Sequence, residues 1–133
     1  ERRHFLVIQE RAFLAEQLAA IDKTYLLANG NDFTFSSLTG PYGINITWSY
    51  LYNWYGRSKY GYAPRFVGLS QKGLIGESLL EETDLVSDTH FTIIEPDVLV
   101  NKEIAEKFYF DQDLRAGSVS AEYAFGTLTV QAR

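Results

Sequence analysis

The residues best suited to chemistry lie in one aromatic stretch, residues 48–62, in which seven of fifteen positions are Trp or Tyr. Aromatic faces can stack on sugar rings, and Asn, Arg and Lys side chains hydrogen-bond hydroxyl or anionic groups. The stretch therefore predicts a contact surface for carbohydrate or a lipid headgroup. Its six candidate binding residues are Asn53, Trp54, Arg57, Lys59, Tyr60 and Tyr62. Tyr and Trp also concentrate at membrane interfaces, which is a third interpretation.

Part of the same stretch has the spacing of a buried helical stripe. Trp48, Leu51, Tyr52 and Tyr55 fall at positions i, i+3, i+4 and i+7. Side chains at these spacings share one face of a helix, which favours core packing over ligand contact for these four. The recognition hypothesis therefore depends on some of the remaining rings facing outward.

The acidic residues of the segment 70–88 are of the type that could bind a cation. Calcium requires oxygen ligands in a tight, ordered loop, and this segment lacks that spacing. A solvated, mobile loop is the favoured interpretation. Its acidic residues nearest one another are Glu81, Glu82, Asp84 and Asp88. We predict no metal site and no cofactor.

Three further features could support catalysis, and none has the context that an enzyme needs. Glu95 and Asp97 flank Pro96, and paired carboxylates serve glycoside hydrolysis, although two acids at a turn are common. His90 lies beside an apolar strand and is predicted to be a satisfied edge residue. The chain has no Cys, no Gly-x-Ser-x-Gly and no His-Glu-x-x-His. We therefore predict no catalytic residue in this chain.

Composition bounds the remaining possibilities. A chain of 133 residues with 46% hydrophobic residues fits one globular domain, residues 1–133. The net charge of −5 argues against a nucleic-acid partner, because such domains carry basic stripes. No apolar run reaches the roughly 20 residues that span a bilayer. Because Met is absent, we expect a soluble piece of a longer protein.

The predicted elements would place the aromatic stretch on a helix over a sheet. Hydrophobic periodicity indicates a long N-terminal helix, and Gly56 is predicted to end the aromatic helix before a loop at 57–63. The expected class is α+β, with the long helix and one or two further helices packed on a mainly antiparallel sheet. Helices are predicted at 5–28, 47–55 and 101–114, with a strand at 44–48 as the alternative to the start of the second helix. Strands are predicted at 33–35, 65–69 and 90–94, and residues 118–125 and 127–132 form either one bent strand or a hairpin around Gly126.

Three stretches, taken in order, resemble a known family. The first runs from Ile21 to Phe33, and the second is the block Tyr50-Leu51-Tyr52-Asn53-Trp54-Tyr55-Gly56-Arg57-Ser58-Lys59-Tyr60-Gly61-Tyr62. The third comprises residues 93–97 and 125–133. Together they are similar to the soluble C-terminal extracytoplasmic region of bacterial polytopic glycosyltransferases, the family 39-like protein mannosyltransferases and aminoarabinose transferases.

The resemblance implies a function without implying a catalytic residue. In that family the sugar donor is a polyprenyl phosphate, and the catalytic carboxylate lies between membrane helices that have no counterpart here. The chain is thus expected to be a non-catalytic accessory domain, periplasmic or cell-surface, tethered to the membrane-spanning portion of its own chain. Its Tyr-rich face would hold acceptor glycan or lipid-linked sugar.

Two other classes of protein share the expected layout. A periplasmic ligand-sensing domain of a membrane receptor also begins with a long helix and continues into a mixed sheet. A pilin-like structural subunit likewise packs a long helix on a sheet. A small independent enzyme is the least supported alternative.

Overall fold

The computed structural model describes residues 2–39, 45–74, 77–95 and 102–133, with residues 2–12 described by their helical backbone. The α+β class and the long N-terminal helix are confirmed. The helix α2, a π-helical turn and α3 follow one another without a break, and we call them the composite helix. The elements in order are α1 (Arg2–Ala28), β1 (Thr34–Leu38), α2 (Ile46–Leu51), the π-helical turn (Tyr52–Gly56), α3 (Arg57–Tyr60), β2 (Arg65–Phe66), β3 (His90–Ile94), α4 (Lys102–Ala116), β4 (Ala121–Phe125) and β5 (Leu128–Ala132).

The five strands form one mixed sheet in the order β2-β1-β3-β5-β4. β1 pairs in parallel with both β2 and β3, whereas β5 pairs antiparallel with β3 and β4. The sheet is therefore mixed rather than mainly antiparallel. The cause is the composite helix, which carries the chain from the end of β1 back to the start of β2, as a parallel pairing requires.

The two faces of this sheet differ in chemistry because side chains alternate along each strand. Phe35 and Phe91 are register partners on one face, which we call the aromatic face. Thr34 and His90 are register partners on the opposite face, which we call the polar face. α1 and the composite helix pack on the aromatic face, and the shared core includes Ile21, Tyr25, Phe33, Phe35, Trp48, Tyr52, Phe91, Ile93 and Val130.

The helix α4 covers the polar face. Thr92 Oγ1 donates to Gln112 Oε1 at 3.0 Å, and His90 Nε2 lies 3.2 Å from the same oxygen. The side chain of Arg133 donates to Thr92 Oγ1 and to the carbonyl oxygen of Gly117, which joins β5 to the end of α4. The molecule thus has three layers, with the sheet between α1 and α4.

Several predicted elements are confirmed. β3 spans His90–Ile94 as expected and lies in the middle of the sheet. β4 and β5 form a hairpin around Gly126, which decides between the two arrangements that the sequence left open. The predicted strand 65–69 is shorter than expected, since β2 contains only Arg65–Phe66. The sequence Thr-Gly-Pro-Tyr-Gly at 39–43 predicts a turn, but this segment lies almost wholly outside the described residues, as do Pro96 and Asp97.

The prediction that Gly56 ends the aromatic helix is wrong. The helix continues through Tyr60, and Gly61 ends it with the left-handed φ of 85° that favours glycine. Gly56 serves a different purpose, because the Tyr25 hydroxyl lies directly where a β-carbon would project. The glycine therefore permits α1 and the composite helix to approach closely.

Candidate functional site

The six predicted binding residues lie on or just after the composite helix, where the structure divides them into two groups. Lys59, Tyr60 and Tyr62 are held by contacts with α1 and with the turn that follows it. Asn53, Trp54 and Arg57 belong to an exposed surface one to two helical turns earlier. The aromatic stretch is therefore partly structural and partly available to a ligand.

The first group surrounds Asp22 of α1, and we call this group the tyrosine cluster (Asp22, Tyr25, Tyr55, Lys59, Tyr60 and Tyr62). The Lys59 ammonium lies 3.0 Å from Asp22 Oδ1, and the hydroxyl groups of Tyr55 and Tyr60 donate to the same carboxylate. The Tyr60 ring stacks on Tyr25 with centroids 4.1 Å apart. These contacts fix the composite helix against α1.

The electrostatics of the cluster follow from its single carboxylate. Partial burial acts to raise the pKa of Asp22, but hydrogen bonds from Tyr60, Lys59 and Tyr55 outweigh it and lower that pKa. Burial and the Asp22 carboxylate raise the pKa of Tyr60 to about 12. Asp22 is thus ionised and Tyr60 is protonated at neutral pH, which suits a structural role.

Tyr62 completes the same packing. Its hydroxyl donates to the carbonyl oxygen of Asn31 at 2.9 Å, and its own carbonyl oxygen accepts from the Tyr25 hydroxyl at 2.6 Å. Its ring meets Tyr25 edge-on at 5.2 Å. Both polar ends of Tyr62 are therefore used to close the turn after α3 over the end of α1.

The second group presents rings to solvent. Tyr50 and Trp54 are 54% and 48% exposed and stack with centroids 6.0 Å apart at an angle of 27°. On the next row of the helix, Arg57 Nε donates to Asn53 Oδ1 at 2.8 Å. We call these four residues the aromatic ledge. Side chains four residues apart lie side by side on a helix, so the ledge is one continuous surface.

An apolar groove adjoins the ledge at Tyr50. It has a cavity volume of about 530 Å³ and runs between α1 and the beginning of the composite helix. The α1 side of the groove includes Leu14, which is 39% exposed. The groove is lined by Leu14, Gln17, Ile46, Thr47, Tyr50, Leu51 and Leu79.

The predicted helical stripe is confirmed as core at three of its four positions. Trp48, Leu51 and Tyr52 are buried, and Trp48 Nε1 donates to Glu95 Oε2 at 3.2 Å. Tyr55 is half-buried and bonds to Asp22. Tyr50, which sequence reasoning left out of the site, is the missed ledge residue. The signal for it was its i, i+4 spacing from Trp54.

The chemistry that could support catalysis or metal binding is not assembled in the described part of the chain. Among the described residues, no three His, Cys, Asp or Glu side chains come together as metal ligands. Glu95 accepts the Trp48 hydrogen bond, and its predicted partner Asp97 lies outside the described residues. Glu82 accepts a hydrogen bond from the backbone nitrogen of Gln71, which ties the acidic segment to the exit of β2.

His90 is a satisfied histidine, but it is buried in the central strand and is not at an edge. Its Nδ1 is 2.7 Å from Thr34 Oγ1. Because Gln112 Oε1 only accepts, His90 Nε2 carries the proton and Nδ1 accepts from Thr34. Burial lowers the pKa of His90 to about 4, with Arg133 acting in the same direction and the Gln112 hydrogen bond against it.

No family model matches the chain, and no curated protein or solved structure matches it significantly. Within the described ranges, no helix combines the length and the hydropathy needed to cross a membrane. The function is therefore argued from the ledge and groove themselves.

Proposed function

We propose that this chain is a non-catalytic, extracytoplasmic accessory domain of a membrane glycosyltransferase, and that its aromatic ledge positions acceptor glycan or lipid-linked sugar. The observation that carries the proposal is the exposed, stacked pair Tyr50 and Trp54 beside an apolar groove. Exposed aromatic pairs that border a groove are common at binding sites, because rigid rings give large contact area at low entropic cost.

The ledge and groove supply three complementary kinds of contact. The Trp54 and Tyr50 rings offer faces for a sugar ring. Arg57 Nε donates a hydrogen bond to Asn53, and the two Nη groups of Arg57 have no partner among the described residues. A guanidinium of this kind pairs well with phosphate. The groove offers a nearly apolar lining for the first units of a polyprenyl chain. A lipid-linked sugar phosphate combines a sugar, a phosphate and a polyprenyl chain, one part for each kind of contact.

The resemblance of residues 50–62 to the family 39-like glycosyltransferases supports the same assignment, with one refinement. Lys59, Tyr60 and Tyr62 are used by the tyrosine cluster, so the ligand contacts are expected from Asn53, Trp54 and Arg57 together with Tyr50. The aromatic stretch would then both hold the composite helix on α1 and present the aromatic ledge.

The chain contains a built-in control for testing ledge binding. Its two indole N–H groups belong to Trp48, which is buried, and Trp54, which is exposed. We expect soluble oligosaccharides or a short-chain polyprenyl-phosphate sugar to shift the Trp54 indole resonance in ¹H–¹⁵N spectra and to leave the Trp48 resonance unchanged. Equal shifts of both signals, or none with either class of probe, would refute ledge binding.

A matched pair of variants makes the test specific. Trp54→Ala should weaken binding at least about tenfold, the loss expected for a central aromatic contact. Phe110→Ala removes an even more exposed ring, 66% accessible against 48% for Trp54, from α4 on the other side of the sheet. It should bind as the unchanged chain does. Equal weakening in both variants would mean that the effect is not located at the ledge.

The number of membrane spans encoded upstream of this segment in the full-length gene tests the proposed membrane context. The proposal requires that this segment follow many apolar spans in the full-length protein. One or two spans joined to a kinase or cyclase domain would instead favour the receptor-sensor class, and a prepilin cleavage site next to one apolar helix would favour a pilin.

A further inference from the structure

A second, smaller cavity lies on the opposite side of the molecule from the ledge. It has a volume of about 160 Å³ and is bounded by α4, by the ends of β1 and β2 and by the acidic segment. We call it the α4 pocket. The carboxyl ends of parallel strands are where open sheets most often bind small ligands. Its walls include Phe66, Asp84, Phe108, Asp111, Gln112 and Arg115.

The strongest indication of a ligand is the amide of Gln112. Its oxygen is held against the sheet by Thr92 at 3.0 Å and His90 at 3.2 Å. Its amide nitrogen has no acceptor among the described residues, although only 4% of the residue's surface is exposed. No fully enclosed side-chain nitrogen or oxygen of the described chain lacks a partner. The amide nitrogen must therefore open into the cavity that Gln112 lines.

The Gln112 amide oxygen faces the sheet, where hydrogen bonds hold it. Thr34 donates to His90 Nδ1, and His90 Nε2 then donates to the Gln112 oxygen. Arg133 Nε donates a hydrogen bond to Thr92 Oγ1, and the Thr92 hydroxyl in turn donates to Gln112 Oε1. A flip of the Gln112 amide would require the Thr92 hydroxyl to turn away and His90 to change its tautomer. The pocket thus contains a preorganised pair of N–H donors.

The charges around the pocket select the class of ligand. Asp111 pairs with Arg115 at 3.0 Å, which leaves Asp84 as the lining carboxylate without an ion pair among the described residues. An anionic ligand would be repelled by the Asp84 carboxylate, and the Arg115 guanidinium is already paired with Asp111, so the pocket disfavours anions. Hydroxyl groups, in contrast, both donate to carboxylates and accept from amides.

We propose that the α4 pocket binds a small neutral polyhydroxylated molecule about the size of one sugar ring. The volume is well below the roughly 300–1,000 Å³ of sites for drug-sized ligands. Phe108 provides an apolar wall for the ring, Gln112 donates a hydrogen bond to a ligand oxygen, and Asp84 accepts a hydrogen bond from a ligand hydroxyl. This site is separate from the aromatic ledge and does not depend on its proposed function.

The mouth of the pocket is polar and continues into a neighbouring cavity. That cavity has a volume of about 350 Å³ and shares Gly68 and Asp84 with the pocket. A hydrophilic ligand therefore has a polar route of entry between the exit of β2 and the acidic segment.

The test is a titration of the ¹⁵N-labelled chain with D-glucose, D-galactose, D-mannose, D-arabinose and myo-inositol. At least one probe is expected to shift the Gln112 side-chain amide and the Gly68 backbone amide in a saturable way, with the Trp54 indole unchanged. Absence of shifts with all five probes overturns the proposal, as does preferential binding of methylammonium or inorganic phosphate.

Asp84→Asn and Asp88→Asn are the paired variants. Both replace an exposed aspartate of the same segment, but only Asp84 lines the pocket. Asp84→Asn should bind the responding probe about tenfold more weakly, because it removes a charged hydrogen-bond acceptor. Asp88→Asn should bind normally. Equal affinity in both variants places the probe elsewhere and overturns the assignment.

A second pairing separates this site from the ledge. Trp54→Ala should leave the response of Gln112 and Gly68 intact, and Asp84→Asn should leave binding at the Trp54 indole intact. Loss of the pocket response in Trp54→Ala would mean that the probe binds at the ledge alone, which also overturns the proposal.

Discussion

The aromatic and polar faces of the sheet are built from alternate residues of the same strands, yet they are stabilised differently. On the aromatic face, Phe33 and Phe91 meet edge-on at 5.5 Å. On the polar face, His90 is hydrogen-bonded at both ring nitrogens. The aromatic face gains stability from buried area and close packing, whereas the polar face depends on complete pairing of its donors and acceptors.

This difference predicts two kinds of sensitivity. The aromatic face should respond to changes in volume and the polar face to changes in polarity and pH. The proposed sites follow the same division, since the ledge extends the ring-rich side and the α4 pocket opens from the hydrogen-bonded side.

The largest effect is expected from Phe91→Ala. Phe91 is almost completely buried between Phe33 and the apolar residues of β5, so truncation leaves a cavity. The free energy of unfolding should fall by about 3–5 kcal/mol. Urea unfolding would measure it, with Phe110→Ala on exposed α4 as a control that should change by less than about 0.5 kcal/mol. A small loss for Phe91→Ala would show that the aromatic face can collapse around the cavity.

Adding a side-chain atom to the aromatic side should lower the free energy of unfolding somewhat less than Phe91→Ala does. In Gly56→Ala the new methyl group would meet the Tyr25 hydroxyl, which is held by the Tyr62 carbonyl oxygen. The expected loss is about 3 kcal/mol, the upper part of the range for overpacked cores.

A double-mutant cycle assigns this cost to one contact. Tyr25→Phe removes the hydroxyl, so Gly56→Ala should cost less in that background than in the unchanged chain. If the two substitutions simply add, the glycine is required for a reason other than the close approach of Tyr25.

Sequence patterns predicted the elements that depend on local order. β3, the hairpin around Gly126 and the long helix each combine clear periodicity with a stop signal nearby. The role of Gly56 could not be read locally, because the ring that needs it lies 31 positions earlier in α1. The parallel pairing of β1 was missed for the same reason, since strand direction depends on where the connecting segments return.

The candidate site was predictable to a similar extent. The outward-facing Trp54 and Asn53 follow from their positions off the buried helical stripe. The helical position of Arg57 was not predicted, because the sequence pattern ended the helix at Gly56. The use of Lys59 and Tyr60 by Asp22 depends on a contact across more than thirty residues, which has no local signal. The α4 pocket was missed because its walls come from five separate segments of the chain.

The polar face should show its dependence on protonation through His90. Its folded pKa of about 4 lies below the ordinary value of about 6.5, so the unfolded chain binds the proton more readily between these values. The stability is fully present above about pH 6.5 and is lost as the pH falls towards 4. Between pH 7 and pH 5 the loss should be about 2 kcal/mol.

The matched variant for this prediction is His90→Gln, which removes the titrating group. His4 is the other histidine of the chain and is present in both proteins, so the difference between their pH profiles isolates His90. Urea unfolding at several pH values between 5 and 7 provides the profiles. Parallel profiles would show that His90 is not buried in its neutral form.

The smallest effect is expected from Asp22→Asn, which tests whether the aromatic side depends on volume alone. The three donors around Asp22 lower its pKa, so its contribution is present above the unfolded value of about 3.9 and is lost as the pH falls through the lower folded value. Because the side chain is 35% exposed, solvent screens these contacts, and the variant should lose only about 1 kcal/mol at pH 7. Glu106→Gln, which alters the exposed pair with Lys102, should change stability by less than about 0.5 kcal/mol. A loss from Asp22→Asn as large as that from Gly56→Ala would mean that a carboxylate, and not close packing, holds the composite helix on α1.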